Sequence, residues 1–320
     1  MQFTFSSKNE TKKIRQILDI SRYYYIDGLS QLEISKKMAL SRPTVSRLLQ
    51  QAKETGIVEI KINDPFQDIN SLKEQLKKKY GLKEVIIALQ TSNDLETIYD
   101  ALGEEAARYL DKIVKNNDII GISWGLTMKA IANHLTESQK DNVKIVQLKG
   151  SVANSQENNY SIDITSSFNK AFHTQSQILP LPVIFDNAKT KELVTKDHFI
   201  QSVIQEGYSA NIALFTVGTT RPSAMLFRLG YLDQQHIDDL RKKSVGDVLS
   251  RFITSTGEIA DPELDKRTVG LPLDKLHEKP YSILTAGGES KLHSIHAALL
   301  GGYANVLITD QNVAQKLLDL

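Results

Sequence analysis

The chain has 320 residues, 41% of them hydrophobic and 24% charged, enough for two domains and a full core. No apolar run approaches the roughly 18 residues that span a bilayer, and the N-terminus is polar, so no membrane partner and a cytoplasmic location are expected. Cysteine is absent, which removes disulfides, thiolate metal sites and cysteine nucleophiles; neither a metal nor a cofactor is expected. The net charge of +1 divides unevenly: residues 1–63 hold eleven Lys/Arg and six Asp/Glu, whereas 64–320 hold 28 and 32. A basic head on a mildly acidic body suits one module that meets polyphosphate and one that does not.

In the head, Ile14, Ile17, Leu18, Tyr24 and Tyr25 recur at helical spacing over 11–26, and Asp27-Gly28 stops that helix. Ser30 with Glu33 forms a capping box for a second helix, whose buried positions are expected at Leu32, Ile34 and Met38. After the turn 39–41, Ser41 caps a third helix with Pro43 near its start and Val45, Leu48, Leu49 and Ala52 on its inner stripe. Two short helices joined by a three-residue turn are what a helix-turn-helix requires. Arg42, Pro43, Thr44, Ser46 and Arg47 then lie where short polar and guanidinium groups reach bases or phosphates of operator DNA. Residues 57–62 alternate and read as a strand, half of a small wing. Asn63-Asp64-Pro65 ends the head, and a helix bearing Leu72, Leu76 and Tyr80 over 64–82 is expected as a linker with a solvated lysine face.

From residue 83 to 320 short apolar runs alternate with helical stretches. Strands are expected at 85–89, 118–123, 143–148, 212–217, 282–286 and 305–309. Helices are expected at 95–115, 126–136, 161–172, 189–207, 222–229 and 290–300. This is the pattern of an α/β, Rossmann-like, mostly parallel sheet, in which ligands gather at the carboxyl ends of strands. Ser123, Trp124, Gly125 and Thr127 occupy one such turn, Gly218 and Thr219 a second, and Gly287, Gly288, Ser290 and Lys291 a third. In the last, Ser290 is expected to cap a helix and Lys291 to add a cation beside its start. No nucleotide fingerprint is present. Lys149 ends an apolar strand, where partial desolvation lowers a lysine pKa and frees a nucleophilic amine, although such a lysine also snorkels to water or forms an ion pair. Asp247 and Arg251 are either ligand contacts or a structural pair.

With these residues in place the chain resembles the SorC family of sugar-responsive bacterial regulators. The resemblance runs from Ser-Arg-Pro-Thr-Val-Ser-Arg-Leu-Leu (41–49) through Gly-Ile-Ser-Trp-Gly (121–125) and Val-Gln-Leu-Lys-Gly (146–150) to Ala-Gly-Gly-Glu-Ser-Lys (286–291). It implies a winged-helix-like DNA reader and an effector domain related to phosphosugar isomerases and deaminases. It further implies deoxyribose-5-phosphate as inducer, held as a Schiff base on Lys149 with its phosphate on Gly287, Gly288, Ser290 and Lys291. The function implied is a homodimeric or homotetrameric repressor of deoxyribonucleoside or sugar catabolism that leaves DNA when the sugar phosphate binds. Two other readings stand beside it: a phosphosugar isomerase or aldolase-like enzyme with an accessory head, and a regulator of a different sugar phosphate.

Overall fold

The computed structural model describes residues 8–60, 65–89, 92, 94–152 and 160–320. Two compact units divide at Pro65–Phe66. In the first, α1 (Lys8–Tyr25), α2 (Gln31–Met38) and α3 (Arg42–Glu54) enclose Ile17, Ile20, Ile34, Val45, Leu48, Leu49 and Ala52. The capping box forms as its residues dictate: the Ser30 hydroxyl accepts from the Glu33 N–H at 3.3 Å, and the Glu33 carboxylate accepts from the Ser30 N–H at 2.8 Å. Ala39 turns the chain with φ 49°, and Ser41 accepts from the Thr44 N–H at the start of α3.

Three expectations for this unit fail. Leu32 is 54% exposed, and Leu18, Tyr24 and Tyr25 lie on the outer face of α1. A short helix hairpin covers one narrow stripe, and Ile17 and Ile20 fill it. Ile57–Ile60 form a bend and unpaired chain instead of the expected wing strand; 61 and 62 lie outside the described residues. Ile57 and Val58 pack on the helical core, so their alternation reflects partial burial without strand pairing.

The second unit begins with α4 (Pro65–Tyr80), β1 (Glu84–Ala88) and α5 (Leu95–Ile113), followed by β2 (Ile119–Ile122), α6 (Leu126–His134), β3 (Lys144–Gln147) and α7 (Ser161–Phe172). Next come α8 (Ala188–Val194), α9 (His198–Ser209), β4 (Ile212–Phe215), β5 (Val217–Thr219), α10 (Met225–Arg228) and α11 (Gln234–Lys243). The remainder is β6 (Gly246–Val248), β7 (Arg251–Ile253), α12 (Pro262–Arg267), β8 (Tyr281–Thr285), α13 (Leu292–Leu300), β9 (Val306–Asp310) and α14 (Gln311–Asp319). Six strands form one sheet in the order β1-β9-β8-β4-β2-β3, every pair parallel. Alternate residues face opposite layers: Ile283 and Ile308 pack with α5 and α6, whereas Leu284 and Leu307 pack with α4, α13 and α14.

The expected 189–207 helix is two, because Asp197 caps α9 by accepting from the Phe199 and Ile200 N–H groups. A second, antiparallel sheet, β5-β6-β7, was not anticipated. It continues directly from β4, with Thr216 between them. The helix over 65–80 is packed into this unit through Ile69, Leu72 and Leu76. Its lysine face is only partly solvated, since the Lys79 ammonium donates to the Leu317 and Leu318 carbonyls at 3.0 Å.

Candidate functional site

At the carboxyl ends of β2, β3, β4 and β8 a cavity of about 340 Å³ opens between the large sheet and the small one. Trp124, Gly125, Lys149, Gly218, Thr219, Asp247, Ser290 and Lys291 all line it. Gly125, at φ 131°, starts α6 with open space beside its Cα, so the backbone there is bare to a ligand.

Lys149 follows β3 and is 6% exposed. Its Nζ donates to the Ser250 hydroxyl at 3.2 Å and sits 3.6 Å from the centroid of the Trp124 ring. The ring is fixed because its indole N–H donates to the Gly150 carbonyl at 2.8 Å. Burial lowers the Lys149 pKa to about 8, against the pull of Asp247. Asp247 is 7% exposed, and burial raises its pKa against Lys149, the Ser250 N–H and Lys291. One oxygen accepts from the Ser250 N–H at 2.9 Å; the other lies 1.8 Å from where a Cβ would stand on Gly218, its register partner across β5 and β6. Glycine at 218 therefore makes room for this carboxylate.

Lys291 donates to the Thr127 and Thr216 hydroxyls at 3.2 and 3.3 Å. Its pKa is likewise lowered to about 8, first by burial, and Lys149 adds to the effect. Two amines, one carboxyl and three hydroxyls thus converge from both sheets.

Other expected residues fall elsewhere. Ser123 is 3% exposed, does not line the cavity, and its hydroxyl has no partner among the described residues. Gly287 and Gly288 instead accommodate the Asp310 carboxylate, which accepts the Gly288 N–H at 2.7 Å and the Val313 N–H at 3.0 Å. Ser290 caps no helix; it lies in a 3-10 turn before α13. Arg251 is not paired with Asp247: its guanidinium donates to Asp265 at 2.6 Å and to the Leu271 and Gly270 carbonyls at 3.0 Å. Leu95, Tyr99, Arg221 and Met225 line the cavity and were missed. The first two lie on α5, which follows β1, so the signal that marks them is the carboxyl end of another strand of the same parallel sheet. A larger hollow of about 630 Å³ lies on α6 and α7, but its charged groups, Glu137, Lys170 and His173, include none of the buried residues.

In the first unit, Arg42, Pro43, Ser46 and Arg47 are exposed along α3, and Thr44 is half-buried with its hydroxyl 2.8 Å from that of Ser41. The polar residues thus share the outward face, and Thr44 is partly engaged by the cap.

The "Putative sugar-binding domain" family model matches residues 64–319. The deoxyribonucleoside regulator of Bacillus subtilis is 45% identical over 310 residues, covering 97% of this chain and 99% of its own. The sorbitol operon regulator of Klebsiella pneumoniae is 30% identical over 308 residues, covering 95% and 98%. The crystal structure of full-length SorC from that organism superposes with a TM-score of 0.73 at 28% identity, covering 98% of this chain and all of the other. These relatives are transcriptional regulators, not enzymes. The chain belongs to the SorC family of transcriptional regulators, which carry a sugar-binding domain.

Proposed function

We propose that the chain is a repressor that holds operator DNA through Arg42, Pro43, Thr44, Ser46 and Arg47 and releases it on binding deoxyribose-5-phosphate covalently at Lys149. The observation that carries this reading is a desolvated lysine amine, over a fixed indole and beside a carboxyl, at the wall of a cavity that also holds a second cation. Its volume lies within the range of small-ligand sites, roughly 300–1,000 Å³. The neutral Lys149 amine adds to the sugar's aldehyde carbon and gives a carbinolamine; loss of water leaves the imine. Lys291, the Thr216 hydroxyl, Ser290 and the bare backbone at Gly125 form the phosphate end, and the buried Thr127 hydroxyl, which does not line the cavity, holds Lys291 from behind. Thr219 and Asp247 face the sugar.

This moves the phosphate site away from the Gly287-Gly288 backbone, because Asp310 already takes the Gly288 N–H. The relationship to phosphosugar isomerases explains the scaffold, and the helix-turn-helix explains the head. A paired operator calls for a homodimer or homotetramer, acting in the cytoplasm. No helix among the described residues is long and apolar enough to cross a membrane.

Treatment with deoxyribose-5-phosphate and cyanoborohydride, followed by peptide mapping, should place one reduced adduct on Lys149 and none on a Lys149→Arg chain. Tight binding without any adduct would leave a regulator with a non-covalent effector.

A further inference from the structure

The turn joining β6 to β7 is a two-residue hairpin in which Val248 pairs with Arg251, and both central residues, Leu249 and Ser250, have positive φ of 47° and 69°. Such turns favour Asn-Gly or Gly-Gly, since a Cβ is strained there. This one carries a branched apolar residue and a serine. Leu249 is buried in the core beneath the small sheet, which offsets part of the strain. Ser250 is fully buried and gains nothing by apolar burial. What its conformation achieves is local: its N–H is spent on the Asp247 carboxylate, and its hydroxyl accepts from the Lys149 Nζ. Among the described residues that hydroxyl proton has no acceptor. Strain retained at one residue commonly marks a functional constraint.

Resting on the covalent reading above, we infer that Ser250 is the positioning residue for the reactive amine, held in the left-handed conformation so that its hydroxyl fixes Nζ against the cavity. A neutral amine that donates one N–H to Ser250 keeps its lone pair directed away from that oxygen. After condensation the nitrogen has lost both hydrogens, one to each side of the departing water. The Ser250 hydroxyl, with its proton free, then turns from acceptor to donor toward the imine nitrogen. If the imine is protonated, the hydroxyl accepts again. One group therefore partners every state of the nitrogen. The charged groups facing that nitrogen are Asp247, from β6, and Lys291, from the turn before α13.

The test uses the full chain and two aldehydes. Reductive methylation by formaldehyde, mapped at Lys149 across pH, reports amine reactivity without any sugar; deoxyribose-5-phosphate with cyanoborohydride reports the proposed inducer. Ser250→Ala and Ser250→Gly both lack the hydroxyl, but only glycine relaxes the backbone. Both should lower the plateau methylation rate about tenfold and move its pH midpoint below that of the unsubstituted chain, because the ammonium loses an acceptor. Stabilisation by inorganic phosphate should be unchanged. Unaltered plateau and midpoint in both variants would overturn the inference, as would loss in the glycine variant alone, which would assign the effect to turn geometry. So would a Lys149 that formaldehyde never labels. If formaldehyde labels Lys149 and deoxyribose-5-phosphate does not, Ser250 keeps its role and the covalent inducer reading falls.

Discussion

Lys149 and Lys291 are both held near pH 8 by burial in one cavity, yet the proposed ligand asks opposite states of them. Imine formation needs Lys149 neutral; phosphate binding needs Lys291 charged. An exposed lysine near 10.4 would offer almost no neutral amine at pH 7.5, whereas one near 8 offers roughly a quarter. Adduct yield at limiting deoxyribose-5-phosphate should therefore rise as pH approaches 8 and fall above it, as Lys291 discharges. Lys291→Met should weaken sugar-phosphate binding by about ten- to a hundredfold and abolish the falling limb; titration of trapped adduct by mass spectrometry measures both. A yield that climbs without a maximum would show that Lys291 does not carry the phosphate. The direction of the Lys149 shift was legible from its place at a strand's end. Asp247 was named but its role left open, because its meaning depends on Gly218, 29 positions away and directly opposite across two strands.

Elements were legible in proportion to how much of their pattern is local. The six parallel strands and the caps at Ser30 and Ser41 depend on adjacent residues and stand close to where the sequence places them, except that the run 212–217 ends its parallel strand at Phe215 and Val217 opens β5. The β5-β6-β7 sheet did not announce itself: three-residue strands are too short to show a period, and Gly218 and Gly246 weaken what signal there is. On α1 the helical pattern was right but its buried face was rotated, since tyrosines at the outer end match helical spacing without meeting a core. The head offers a separation of effects at this scale. Ser41→Ala should cost about 1 kcal/mol of helix stability and weaken DNA binding through α3. Arg47→Ala should leave folding unchanged and reduce operator affinity by about tenfold or more, measured by fluorescence anisotropy. Stabilisation by sugar phosphate should survive both; undiminished affinity for Arg47→Ala would place the DNA-reading face elsewhere.

In the whole molecule, sensing and output are coupled only if each ligand binds one arrangement better than the other. A sugar phosphate at a hundredfold over its Kd stabilises the folded chain by about 2.7 kcal/mol, visible in a thermal melt. Linkage then requires operator DNA to weaken sugar-phosphate affinity by the factor with which sugar phosphate weakens DNA. Isothermal titration with and without operator checks this; equal affinities would mean that the cavity does not control the head. The pairing of Gly218 with Asp247 carries its own signature through descent. A side chain at 218 and a carboxylate at 247 exclude each other, so the two positions cannot drift independently. Lineages that gave up the carboxylate would be free to enlarge 218, whereas those that retain it must keep glycine. The history of what these regulators sense should be written in that two-letter correlation.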